Sequence, residues 1–137
     1  MIYINSRVYN EIMYTIGNAP IESGGILGMK DGEICAFYFD KGASTSYDAY
    51  IPNIKVLNEV IKRWSKRGIR FFGIVHSHAN GYDKPSYNDE VYARNLLEQN
   101  PSLRSLVFPI LTNYNGEKKL SCYEYITDFT RKEIIIK

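Results

Sequence analysis

One stretch constrains this 137-residue chain more than any other: residues 73–89, GIVHSHANGYDKPSYND. It holds both of the chain's histidines, His76 and His78, one residue apart. The apolar run ahead of them, Ile69, Phe71, Phe72, Ile74 and Val75, reads as a buried strand. Side chains alternate along a strand, so residues two apart share a face. His76 and His78 therefore project the same way from the end of a rigid element. The segment 86–99 reads as a helix with Asp89 in its first turn. Two imidazoles from a strand end and one carboxylate from a helix start converge on one ion in this arrangement. Three protein ligands of these types suit zinc and leave a fourth position for water, as in a catalytic rather than a structural site.

The spacing continues beyond the histidines. Ser86 follows His78 by eight positions and Asp89 follows Ser86 by three, while Glu22 lies well upstream in Glu-Ser-Gly-Gly-Ile-Leu-Gly. This pattern resembles the JAMM (MPN+) metalloprotease family: a glutamate, then His-Ser/Thr-His, seven residues, Ser, two residues, Asp. Residue types fixed at these offsets should arise by chance in fewer than roughly one chain in a thousand of this length. The resemblance covers about 7–125 and departs at Ala79, where many members carry proline.

The resemblance implies one zinc per chain, held by His76, His78 and Asp89. It implies Glu22 as general base and Ser86 as a donor to the tetrahedral oxyanion. Zinc lowers the pKa of a bound water from 15.7 to about 7 and polarises a carbonyl. A positioned base then moves the water's proton to the leaving amine. Relatives cleave amide bonds after the flexible C-terminal tail of a ubiquitin-like protein, or in bacteria and archaea of a small ubiquitin-like or sulfur-carrier protein. The chain shows no long insertion beside the motif, so a minimal stand-alone form with a small ubiquitin-fold substrate is expected. The substrate tail would add as an extended strand. Tyr82 and Tyr87, between or beside the ligands, are expected at the wall of the substrate channel; the alternative is that both rings pack on the third helix.

Several residues carry a plainer reading as well. Ser86 with an acid three residues on is nearly a capping box, and an acid in a first turn is stabilising in any helix. The cap and the ligand can be one group. Ser77 points away from the histidines and reads as structural. Glu90 is one residue out of register and is assigned to the solvent side. A non-catalytic scaffold of the same family is the rival reading, but such members usually lack part of the ligand set. A zinc deaminase would need His-x-Glu and Pro-Cys-x-x-Cys, and the chain has neither.

The rest of the chain predicts one α/β domain over 1–137, a mixed central sheet flanked by helices; the resemblance implies the JAMM/MPN (cytidine-deaminase-like) architecture. Tyr3-Ile4 opens extended. Asn5 or Ser6 caps a helix carrying Val8, Ile12, Met13 and Ile16, stopped by Gly17 to Pro20. A hairpin follows, 23–29 and 33–39 about Lys30-Asp31-Gly32. Residues 41–46 read as a loop and 47–51 as extended. Pro52-Asn53 opens a second helix with Val56 or Leu57, Val60, Ile61 and Trp64 inward, ended by Gly68. The third helix is followed by a strand over 103–112, a turn at 113–116 and a return over 119–126. In the tail 128–137, Glu133-Ile-Ile-Ile-Lys137 reads either as a short added strand or as a partner contact.

Charge narrows the partners little. The net charge is +2, and the run Lys62, Arg63, Lys66, Arg67 and Arg70 complements a helix C-terminus as a solvated face. No nucleic-acid partner is expected. Cys35 and Cys122 read as two buried thiols, as in a reducing cytosol. The N-terminus lacks a signal-like apolar core and no run reaches membrane-spanning length, so a cytoplasmic protein without membrane association is expected. Oligomeric state is left open.

Overall fold

The computed structural model describes residues 1–19, 22–40 and 52–137. The expected stop at Pro20, the loop 41–46 and the extended 47–51 lie outside the described residues. The described residues form a single α/β domain with a mixed nine-stranded sheet and three α-helices.

The first strand, β1 (Ile2–Ile4), leads into α1 (Ser6–Thr15). Asn5 is the cap, its Oδ1 accepting the Arg7 N–H at 2.9 Å. Next come β2 (Gly24–Lys30) and β3 (Glu33–Asp40), joined at Asp31-Gly32. Both turn residues have positive φ, 54° and 77°, the two-residue connection whose twist matches its strands. Helix α2 (Ile54–Ser65) follows, capped by Asn53, with Leu57, Val60 and Trp64 buried. Then come β4 (Arg70–His78) and α3 (Tyr87–Gln99).

The expected strand over 103–112 is two short strands, β5 (Leu106–Val107) and β6 (Ile110–Tyr114). Pro109, which has no N–H to give to a ladder, marks the break. Both pieces still pair parallel to β4 and antiparallel to β7 (Glu117–Tyr125). The tail forms two strands rather than one. Strand β8 (Phe129–Lys132) pairs antiparallel to β7, and one residue later β9 (Ile134–Ile136) pairs parallel to β1, so this segment joins the two ends of a curled sheet.

The central order is β6-β4-β2-β3-β1-β9, with β4 deep in the sheet and a helix layer on each face. Val75, Leu27, Ile34, Val8 and Ile12 share the core beneath α1. Ile26, Ile74, Leu57, Trp64, Ala93 and Phe108 share the core beneath α2 and α3. The alternation of β4 thus sends Val75 to one face and Ile74 to the other. His76 and His78, in step with Ile74, face the α2–α3 side.

Gly73 fits β4 against β5. A Cβ there would overlap the Val107 carbonyl, which is backbone and fixed by the ladder. Gly73→Ala is therefore expected to cost about 1–3 kcal/mol, the usual range for overpacking, read as a lowered denaturant midpoint. An unchanged midpoint would show that β4 and β5 can separate without loss. Both thiols are free; Cys122 is buried and Cys35 half-buried. Burial pushes the Cys122 thiol up to about 12. No helix among the described residues is long and apolar enough to cross a membrane.

Candidate metal centre

The centre is built at the C-terminal end of β4. Strand β2 runs antiparallel beside it, with Gly24 opposite His76. The ladder continues one step past β2, where Ser77 N–H donates to Ser23 O at 2.9 Å. One further step sets Glu22 alongside His78. The same alternation puts Ser77 on the opposite face. Its Oγ accepts the Ser23 N–H at 3.0 Å and its hydroxyl donates to Ser23 O, a staple between two strand ends. Ser77 is structural, as its phase along the strand requires.

The two imidazoles converge. His76 Nε2 and His78 Nε2 lie 2.9 Å apart with the rings at 79°. Asp89 completes a triangle, Oδ1 at 3.1 Å from His76 Nε2 and Oδ2 at 3.0 Å from His78 Nε2. These three residues form the one group among those described whose ligand atoms could hold a metal ion. Glu90 is outside it.

The carboxylate reaches this position because of how α3 starts. Ser86 Oγ accepts the Asp89 N–H at 3.1 Å, and Asp89 Oδ2 accepts the Ser86 N–H at 2.8 Å. This is a complete capping box. The cap and the approach to the histidines are made by one side chain, so the local helix signal and the site signal share a cause. Ser86 accepts through a lone pair, which leaves its hydroxyl proton free to donate.

The triangle suits a small cation. Zinc–nitrogen bonds of about 2.0–2.1 Å at tetrahedral angles put neighbouring ligand atoms about 3.3 Å apart. The observed edges are only slightly shorter. His78 Nδ1 lies 3.0 Å from Tyr82 O. Donation of Nδ1–H to that carbonyl turns the Nε2 lone pair toward the centre, the outer contact that metal-binding histidines usually have. His76 differs. It is buried, its ring stands edge-on to Phe108 at 5.0 Å, and its Nδ1 has no hydrogen-bond partner among the described residues.

Charge behaves accordingly. Burial pulls the His78 pKa down, but the hydrogen bond and charge of Asp89 more than offset this and leave it above 6.5. Burial pushes the Asp89 carboxyl up, but the hydrogen bonds from His76 and His78 hold it far below the carboxylate range. Without a metal, the hydrogen bond and charge of Asp89 thus favour the protonated form of His78. A raised histidine pKa stabilises the fold fully below the unfolded value of 6.5, and that contribution is lost as pH rises through the folded value. A depressed carboxylate acts at the other end, losing its contribution only in strong acid. Metal-free protein should therefore lose melting temperature as pH rises above 6.5. This loss should vanish in His78→Gln, and excess zinc should reverse the slope, because bound metal displaces the proton. A metal-free slope identical in the parent and His78→Gln would remove this assignment.

Glu22 faces the same centre. Its Oε1 accepts the Ala79 N–H at 2.9 Å, and its charge contributes to raising His78. The backbone contact holds one carboxylate oxygen and leaves Oε2 available. Tyr82 stacks on His78, centroids 5.6 Å apart at 17°. Tyr82 and Tyr87 are 52% and 75% exposed, so neither ring is buried against α3. Two contacts were not legible in the sequence: the Tyr82 carbonyl on His78 and the Ala79 amide on Glu22. Both are main-chain groups, for which no residue type signals. A cleft of about 1100 Å³ opens elsewhere, between α2 and α3 near Arg70 and Arg104. None of the residues of the centre line it, and the donor chemistry makes the β4 end the candidate site.

Neither a protein-family profile nor a curated protein sequence matches the chain. Solved structures do. Protein DSY2949 from Desulfitobacterium hafniense superposes with a TM-score of 0.79 at 22% identity, over 100% of this chain and 93% of that one. A protein from Salinibacter ruber superposes at 0.63 and 16% identity, over 98% and 91%. These likenesses establish a shared fold.

Proposed function

We propose that this chain is a zinc-dependent isopeptidase or peptidase of the JAMM (MPN+) type and has that architecture. It would hydrolyse an amide bond after the C-terminal tail of a ubiquitin-like or sulfur-carrier protein. The observation that carries the reading is the triangle of His76, His78 and Asp89 with the Glu22 carboxylate beside it. Zinc held there would supply a water acidified to near neutrality and a polarised carbonyl.

The chain's own groups do the rest. Asp89 and the histidines would hold the ion, with Asp89 braced by the Ser86 amide and His78 by the Tyr82 carbonyl. Glu22, fixed at one oxygen by Ala79, takes a proton from water at the other and returns it to the leaving amine. The Ser86 hydroxyl donates to the oxygen on which charge develops. The exposed Tyr82 ring offers the substrate tail an apolar surface next to His78.

The test is a set of ubiquitin-fold and sulfur-carrier proteins, each with an amide-linked fluorophore after its last residue, incubated with zinc-loaded protein. Chelator-sensitive release from at least one is expected. Zinc-loaded protein that binds such a carrier yet releases nothing would favour the scaffold reading. On a cleaved substrate, Tyr82→Ala and Tyr87→Ala should raise KM with little change in melting temperature. An unchanged KM with a lowered melting temperature would assign the rings to packing.

A further inference from the structure

The segment from Ala79 to Ser86 serves three residues of the metal centre. The Ala79 N–H holds Glu22, the Tyr82 carbonyl faces His78 Nδ1, and Ser86 caps the helix that carries Asp89. The chain turns tightly there, with Asn80 and Gly81 at positive φ, 57° and 71°, and Tyr82 N–H donating back to Ala79 O at 3.2 Å. So short a turn does not fix the Tyr82 carbonyl by itself, and a group that orients a ligand needs support from rigid structure. Strands β6 and β7 supply it. His78 is in register with Thr112, and Thr112 with Lys119. Paired residues share a face, so Tyr114, Lys119 and Tyr123 lie on the histidine side of the sheet. All three meet the turn. A Cβ on Gly81 would stand 3.3 Å from Tyr114 Cβ. Lys119 Nζ pairs with Asp83 Oδ2 at 3.0 Å. The Tyr123 hydroxyl donates to the Asp83 carbonyl at 2.7 Å.

We infer that Tyr123 is a positioning residue of the metal centre: by holding the Asp83 carbonyl, its hydroxyl fixes the neighbouring Tyr82 carbonyl that orients the His78 imidazole. The inference rests on the metal centre of the proposed function and adds a residue outside the ligand set. The three contacts are not equal. The Lys119 side chain is 55% exposed, and an ion pair so open to water restrains little. The Tyr114 contact is apolar and has no preferred direction. The Tyr123 bond is short and directional, and its donor is buried in the core beneath α2 and α3. That donor is itself fixed. Tyr123 exchanges backbone hydrogen bonds with Phe108, at 2.7 and 3.3 Å, and its ring meets Phe129 edge-on at 6.3 Å. Phe108 is the ring that stands against His76. One residue thus braces the surroundings of both imidazoles, His76 through its backbone and His78 through its hydroxyl. The two functions separate cleanly, because only the second is lost with the hydroxyl.

Tyr123→Phe in the full chain is the test, since it keeps the ring and the Phe108 pairing. Zinc affinity, read by competition with a chromophoric chelator, should fall about five- to tenfold, at or below the low end of the range for losing a ligand's direct partner. In zinc-loaded protein the His78 Nδ1–H, followed by NMR, should exchange with water at least about threefold faster, because its acceptor is no longer held. A purely structural role would lower the melting temperature of the metal-free protein and move neither readout. Lys119→Gln, which removes only the exposed pair, should stay within about twofold of the parent in zinc affinity. A parent that binds zinc while Tyr123→Phe binds it within about twofold would overturn this inference and leave the metal centre standing. An unchanged Nδ1–H exchange rate in Tyr123→Phe would overturn it as well. A parent that binds no zinc would overturn the centre itself, and this inference with it.

Discussion

Glu22→Gln is expected to lower hydrolysis by about two to four powers of ten, the usual contribution of a positioned acid–base group, with zinc and substrate binding intact. The geometry explains why glutamine is the informative replacement. The Ala79 N–H donates to Glu22 Oε1 at 2.9 Å, and a glutamine carbonyl accepts that bond equally well. The side chain stays where it is, and only its ability to take a proton is lost. A drop in kcat with unchanged zinc content would assign Glu22 as the base. Activity within about threefold of the parent would mean that another group does this work, since removing a base should act on the transition state. Loss of zinc in this variant would make Glu22 a ligand, and the open coordination position would be in doubt.

The second large effect concerns Asp89. Asp89→Asn removes the one anionic ligand but can still accept the Ser86 N–H through its amide oxygen, so the start of α3 is expected to survive. Zinc affinity should fall by more than about a hundredfold, beyond the range seen when only an outer contact is lost. The readout is thermal stability. Zinc at about a thousand times its Kd should add about 4 kcal/mol to the parent, and the same concentration should add no more than about 1.4 kcal/mol to Asp89→Asn. Two apolar cores flank the sheet, so the parent stripped by chelator is expected to remain folded. Cooperative unfolding on chelation would make the metal structural.

Most of what positions the centre could be read along the chain. The period of two through Ile74, His76 and His78 placed both imidazoles on one face, and the ladder from Gly24 brings Glu22 to the same face. The Ser86–Asp89 spacing marked both a helix cap and a candidate ligand, and one carboxylate makes the cap and meets both histidines. What could not be read is tertiary. Pro109 splits the expected strand over 103–112 because its missing N–H meets the β4 ladder at that point, and nothing local to Leu103–Ser105 showed where pairing would begin. The tail was ambiguous because Ile134–Ile136 has strand propensity but no neighbour in sequence; its partner, β1, is at the other end of the chain. Strand β8 went unforeseen: Phe129-Thr-Arg-Lys132 is short and half-exposed, and forms only because it closes on β7.

The triangle of His76, His78 and Asp89 is the centre of this reading, and zinc stoichiometry addresses it most directly. Parent protein, stripped, reloaded with zinc and dialysed against metal-free buffer, should retain one zinc per chain by elemental analysis, with His76→Ala retaining none. Parent protein that retains no zinc after reloading, or a His76→Ala variant that retains as much as the parent, would contradict it.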